Sequence, residues 1–199
     1  MALIAPHIRL AMTSKKRPVI PRAAPQRWEV LRCEDGLDGP AGAIADLLHL
    51  VNEIATLRGA RHDPVSLTLR TPAGRTLKPP PIAVARPRST GRRTVNPAPS
   101  PSLLPDVLIV PGWHARNGPS LNRLVNRDRM ACARLRAVHE NGGHVVGLFT
   151  GVALLGEAGL RDQARAVIPW PFVPAVLRHA PGVRLVNDEA LVEHERVWT

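Results

Sequence analysis

Apolar and polar residues along this chain fall into segments of alternating period. WEVLRC, 28–33, alternates and carries Trp and Val, which predicts a first strand. EDGLDGPAG follows as a turn-rich loop. Over 42–57 the residues Ile44, Leu47, Leu48, Val51, Ile54 and Ala55 recur at helical spacing and predict an amphipathic helix with that stripe inward. VSLTLR, 65–70, alternates as a second strand, with TPAG as its turn. DVLIVPGW, 106–113, is a continuous apolar run ending in Pro-Gly, the pattern of a strand buried on both faces. Residues 120–140 place Leu121, Leu124, Val125, Ala131, Leu135 and Val138 on one helical side, and Asn141-Gly142-Gly143 ends that helix.

HVVGLFTGVALLGEAGL, 144–160, then reads as a buried strand over 144–149, a Thr-Gly turn and a helix over 151–158, with no spare residues between them. VIPW is a short extended piece, and PFVPAVLRHA, 171–180, is a helix opened by proline and closed by Pro181-Gly182. VRLV, 183–186, and ALVEHERVW, 190–198, read as the last strands. Strands alternating with helices predict a flavodoxin-like, doubly wound α/β domain: a mostly parallel sheet with helices on both faces. Ligands of such sheets bind at the C-terminal strand edge near the topological switch point. Here that means the loops after Cys33, Val110 and Phe149.

Two stretches stand outside this pattern. Residues 1–26 are basic and proline-rich and read as a tail. Residues 71–105 hold nine prolines, with Arg86, Arg88, Arg92 and Arg93, and read as an insertion, either mobile or holding a short hairpin with IAVA, 82–85, as one strand. The folded domain then spans 27–199.

Charge sharpens the division. The formal net charge is +11. Residues 1–27 carry net +6 and 61–105 net +7, whereas 28–60 carry net −4 and 106–199 only +2. The excess lies in the irregular stretches, which would bind polyanions weakly and in a salt-dependent way. Nucleic-acid binding through them is one alternative function. The 24 Arg against 3 Lys also fit a GC-rich coding bias. No run of about 18 apolar residues is present, so no membrane span is expected. Two cysteines, Cys33 and Cys132, are too few for a disulfide framework, and a cytoplasmic location is expected. No His/Cys/Asp/Glu set has metal-ligand spacing and no Gly-rich phosphate loop occurs, so no metal or cofactor is expected.

A strand-turn-helix of the 144–160 type holds the residue at the strand end in a strained, exposed pose against a helix start, where a nucleophile usually stands. That residue is Phe149, which has no nucleophilic atom. It can fill the core or floor an apolar ligand pocket. Thr150 and Gly151 either offer backbone N–H groups as a cradle for an anion or carbonyl, or only form the turn. Gly112 and Trp113 end the 106–113 strand. Trp113 can stack on a ligand or pack under the proline-rich stretch, and His114 beside it reads as a surface residue. Cys33, at the end of the first strand, is placed to face the same cleft as Phe149. The neighbouring Glu34, Asp35 and Asp38 would suppress its thiolate. Cys132 reads as a small buried hydrophobe.

DVLIVPGW, GGHVVGLFTGVALLGEAGL, the PW of VIPW and VRLVNDEALVEHERVWT together resemble the ThiJ/PfpI branch of the class I glutamine amidotransferase-like superfamily. Within it they are most similar to the sensor half of amidase-like AraC/XylS-family transcriptional regulators. PAGAIADLLHLVNEIA resembles that family's helix after the first strand. The resemblance covers about 28–70 and 106–199. It implies a flavodoxin-like fold, an elbow Cys at the place of Phe149, and a partner His, in a Thr-His-Trp segment, at the place of Pro169, beside Trp170. It further implies an acid at Asp38 or Asp46 that pairs with the elbow, and a structural Glu157. With Phe149 and Pro169 in the two catalytic places, no catalytic residue is expected. The function implied is a non-catalytic domain that senses an unknown small molecule or mediates homodimerisation. Contact with DNA would occur only through a helix-turn-helix domain not found before Thr199, and self-association would cover the sheet surface that a further helix otherwise hides. The enzymatic alternative is a ThiJ/PfpI-type hydrolase or hydratase working through Cys33.

Overall fold

The structure, a computed structural model, describes residues 24–78, 104–161 and 164–199. Expectations for 1–23 and for most of the 71–105 stretch, IAVA included, lie outside the described residues.

A seven-stranded sheet forms the frame. Its strands are β1 (Gln26–Leu31), β2 (Val65–Arg70), β3 (Thr76–Leu77), β4 (Val107–Val110), β5 (His144–Gly147), β8 (Glu193–His194) and β9 (Val197–Trp198), in the order β3-β2-β1-β4-β5-β9-β8. β2, β1, β4, β5 and β9 run parallel, and the edge strands β3 and β8 are antiparallel to their neighbours. From β1 the chain steps outward to β2, then returns to β4 on the other side. The switch point therefore lies between β1 and β4. Helices cover both faces, as the alternation of strand and helix patterns predicts. On one face Leu31, Leu108, Val110 and Val145 pack beneath α2 (Gly118–Arg127), α3 (Arg129–Glu140), α4 (Val152–Glu157) and α5 (Val173–His179). On the other, Val30, Leu69, Val107 and Ile109 pack against Ala41 of α1 (Asp38–Leu57).

Several boundaries differ from the reading by pattern. The helix expected over 120–140 is two helices that meet at Asp128, whose φ of −95° and ψ of 39° leave the helical region. The buried Asp128 carboxylate accepts a hydrogen bond from the Trp113 indole N–H at 3.2 Å. The α2 start carries a capping box between Asn117 and Ser120, which sets it at Gly118, two residues before the start that periodicity gives. β5 ends at Gly147, and a 3-10 turn over Phe149–Gly151 precedes α4. The 183–186 stretch is not in the main sheet: β7 (Arg184–Leu185) pairs in parallel with β6 (Arg165–Ala166) as a separate ribbon. VIPW is irregular and leads into a 3-10 turn over Trp170–Phe172. The 190–198 stretch is a hairpin, and its two loop residues, Glu195 and Arg196, both have positive φ, as two-residue hairpin loops require.

α1 is also rolled relative to the expected stripe. Its buried residues are Ala41, Ala45 and Leu48, whereas Leu47, Val51 and Ile54 are exposed. The cause is Asn52. Its amide donates to the Val65 carbonyl at 3.0 Å and accepts from the Val65 N–H at 3.2 Å, the pairing a neighbouring strand would supply. Two small alanines then let the helix lie close on the sheet.

Buried charges tie the layers together. Glu29, in β1, is held by the guanidinium of Arg134 from α3 (Nη2 at 2.6 Å) and by Arg70 Nε from β2 at 3.1 Å. Arg161 is fully buried, donates to the carbonyls of Arg165 and Val197 at 2.9 Å, and is pulled down to about 10 by loss of solvent.

Replacing Asn52→Ala leaves both polar groups of Val65 without these partners and frees the roll of α1. We expect a loss of about 1–3 kcal/mol in urea denaturation, with Asn52→Asp, which keeps only the acceptor, losing less.

Candidate functional site

The loops after β1, β4 and β5 converge at the C-terminal strand edge. The first two are stitched by an isolated bridge between Gly36 and Trp113, by Leu37 N–H to the Gly112 carbonyl at 3.0 Å and by His114 N–H to the Asp35 carbonyl at 3.2 Å. Arg127 clamps the same crossing, reaching the Asp35 carboxylate at 3.2 Å and the Glu34 carbonyl at 2.7 Å.

The elbow docks on this base through Thr150. Its buried hydroxyl accepts from the Trp113 N–H at 2.8 Å and donates to the Trp113 carbonyl at 3.1 Å. Gly112, at φ +89°, lets the two loops touch: a Cβ there would stand 2.6 Å from both Gly151 N and Thr150 Oγ1. The Gly151 N–H is taken by the Leu148 carbonyl at 2.8 Å. The Gly151 donor is thus spent within the turn, and the threonine hydroxyl is spent on the lock.

Phe149 stands at φ +49°, a left-handed pose in which a bulky L-residue is rare, and it is 59% exposed. It therefore does not fill the core. Trp170, directly after Pro169, is 85% exposed at the start of its 3-10 turn. Both large aromatics belong to loops rather than to either core cluster.

Other candidates turn inward or outward. Trp113 is 2% exposed and bonded to Asp128, so it packs in the core instead of stacking on a ligand. Cys33 does not share a cleft with Phe149: it is 5% exposed, in the core beside Asp128 and Trp113. Burial, then the Asp128 charge, pushes its thiol far above the ordinary cysteine value. Burial likewise pushes Cys132 up to about 11. Asp38 is an exposed first-turn residue of α1 whose carboxylate accepts from Arg32 Nε at 2.6 Å, and Asp46 is exposed further along that helix. Glu157 pairs with a side chain from another helix: His179 Nδ1 lies 2.8 Å from its carboxylate, and His179 Nε2 lies 3.0 Å from Asn122 Oδ1, joining α4, α5 and α2. Sequence spacing gives no signal for that trio, because its members come from three helices.

Two clefts lie elsewhere. One, of about 430 Å³, opens at the N-terminal strand edge around Arg27, Asp106 and His144. The other, of about 490 Å³, lies along the β6–β7 ribbon. Among the described residues no group of three or more His, Cys, Asp or Glu is placed to hold a metal ion, and no helix is long and apolar enough to cross a membrane.

A mostly parallel sheet with a strand-elbow-helix at its C-terminal edge is a flavodoxin-like α/β fold, and several solved structures share it over most of their length. A protein described as a transcriptional regulator from Vibrio parahaemolyticus superposes with a TM-score of 0.62 at 18% identity, over 88% of this chain and 83% of its own. DJ-1beta from Drosophila melanogaster gives 0.55 at 12% identity, over 88% and 81%. A mutant of a DJ-1 superfamily protein from Salmonella typhimurium gives 0.50 at 16% identity, over 87% and 80%. No protein-family model matches the sequence, and no curated protein does.

Two measurements test the site. The left-handed pose of Phe149 costs on the order of 1 kcal/mol for a residue with a Cβ, and more than half of its surface is exposed. Phe149→Gly should therefore raise the unfolding free energy measured in urea by about that amount. Asp128 behaves differently. Burial raises its carboxyl above the ordinary value, against the pull of Arg127, Cys33 and Trp113. A raised folded value means that protonation favours the fold: the gain is complete below the unfolded value of about 4 and is lost as pH rises through the folded one. Asp128→Asn, which keeps an acceptor for Trp113, should be more stable than the native chain at neutral pH, and the gap should close as pH approaches 4.

Proposed function

We propose that this chain is a non-catalytic, ligand-sensing domain of the kind found in AraC-type transcriptional regulators. The observation that carries this reading is the elbow. Its strained backbone and its lock onto the β4 loop are retained, while the position that would hold a nucleophile presents an exposed phenyl ring. Strain in a backbone persists where the surroundings enforce it and is concentrated at functional sites. Pro169 stands where the resemblance implies the partner histidine, so the acid-base chemistry is missing along with the nucleophile. The exposed Phe149 and Trp170 supply apolar surface suited to a neutral, partly apolar small molecule. The likeness to a fold neighbour described as a transcriptional regulator supports a regulatory role. In such a role the ligand biases two states of the domain by binding one of them more tightly.

The enzymatic alternative requires a thiolate at Cys33, and its burial beside Asp128 opposes one. Iodoacetamide at neutral pH should label Cys33 and Cys132 no faster than the chain unfolds, and Cys33→Ser should leave any amidase or hydratase background unchanged. Fast labelling of Cys33, or turnover that Cys33→Ser abolishes, points to the enzyme. In a thermal-shift screen of small metabolites, a true ligand raises the native melting temperature and loses its effect in both Phe149→Ser and Trp170→Ala. A binder indifferent to both substitutions places the sensing site elsewhere.

A further inference from the structure

Charge is segregated between the two helical layers in a way that sums along the chain conceal. α1 carries Asp38, Asp46 and Glu53 and no Lys or Arg. Across the sheet, α2, α3 and α5 carry Arg123 and Arg127, Arg129, Arg134 and Arg136, and Arg178, against the single carboxylate of Glu140. Two of these arginines are spent: Arg134 on the buried Glu29 and Arg127 on the Asp35 carboxylate. Arg123, Arg129, Arg136 and Arg178 are exposed and make no ion pair with the described residues. The trio that ties the helices together also places them. Asn122 Oδ1 meets His179 Nε2 at 3.0 Å, so Arg123 and Arg178, next to these two in sequence, flank the seam between α2 and α5. Arg136 donates to the carbonyl of Ala158 at 3.4 Å, beside Glu157, whose carboxylate is taken by His179. Arg129 stands two turns before Arg136 in the same row of α3, roughly 10 Å along its axis.

We propose that the arginines of α2, α3 and α5 form a docking surface for the phosphate backbone of double-stranded DNA, which they contact without reading its sequence. A guanidinium fork pairs with phosphate oxygens through two parallel hydrogen bonds. Duplex DNA carries a charge about every 1.7 Å of its axis, so side chains spread over three helices meet it together, whereas a small anion meets one or two of them. α2, α3 and α5 contain no Phe or Trp, so this surface lacks the aromatic platforms on which single strands stack. The acids of α1 lie on the opposite face of the sheet, and the resulting field turns the arginine side of the domain toward a polyanion. Binding of this kind differs from that expected of the basic irregular stretches, because the charges stand on folded elements at fixed spacing. The assignment does not depend on the ligand reading of the elbow.

Fluorescence anisotropy with a labelled duplex of mixed sequence, measured on the full 199-residue chain over a series of salt concentrations, tests it. Each phosphate contact contributes about 0.9 to the slope of log affinity against log salt. The triple variant Arg123→Gln, Arg129→Gln, Arg178→Gln should therefore lower that slope by about 2–3 units, with unchanged circular dichroism, since all three side chains are exposed. Lys at the same three positions should keep the native slope, which separates lost charge from lost structure. Neutralising the tail through Lys15→Gln, Lys16→Gln and Arg17→Gln should leave the contribution of the helices in place, and Phe149→Ser should bind as the native chain does. A native chain that does not bind the duplex even at low salt overturns the proposal. So does a slope that the Gln triple leaves unchanged, or binding that the tail variant abolishes. Poly-glutamate that competes as well as unlabelled duplex of equal charge points instead to an acidic protein partner and overturns the assignment to DNA.

Discussion

The hydroxyl of Thr150, bonded to both backbone groups of Trp113, is the contact on which the C-terminal edge of the sheet depends. It joins the β4 loop to the elbow after β5. Gly112 permits the approach, because any side chain there would collide with the turn. Trp113 carries the same contact into the core, where its indole meets Asp128 at the break between α2 and α3. A single polar chain thus runs from the elbow through Trp113 to the helix break. The strained backbone at Phe149 is held from beneath by groups with no freedom to relax it.

The two faces of the sheet are built on different principles. Four helices cover one face and share a large aliphatic core. The other face carries α1 with a smaller cluster, and side-chain polarity decides how that helix lies: two alanines permit close approach and one asparagine sets the angle. Buried Glu29, shared by Arg70 and Arg134, supports β1 from the crowded side. Buried charges of this kind are poor sources of net stability, yet removing one partner is strongly destabilising. They therefore fix one register and one packing.

Much of the frame was legible in the residues. Continuous apolar runs marked β4 and β5, alternation marked β1 and β2, and the Gly-rich turn after Glu140 closed α3 where it was expected. The doubly wound arrangement followed from their order. What the pattern missed depends on contacts distant in sequence. The break at Asp128 is tied to Trp113, and the roll of α1 to Val65. The ribbon of β6 and β7 joins two-residue strands too short to show a period. At the site, the exposed pose of Phe149 was legible in the strand-turn-helix spacing. The inward turns of Trp113 and Cys33 were not, because the last residues of a strand can face either side of the edge they reach.

The elbow has one further consequence, for design. Phenylalanine and cysteine codons can differ by a single base, and the backbone at Phe149 already holds the left-handed pose that an elbow nucleophile adopts. Thr150 and Gly112 keep that pose whatever side chain it bears. A reactive group installed at this position would arrive already oriented, and the general base would be the part left to build.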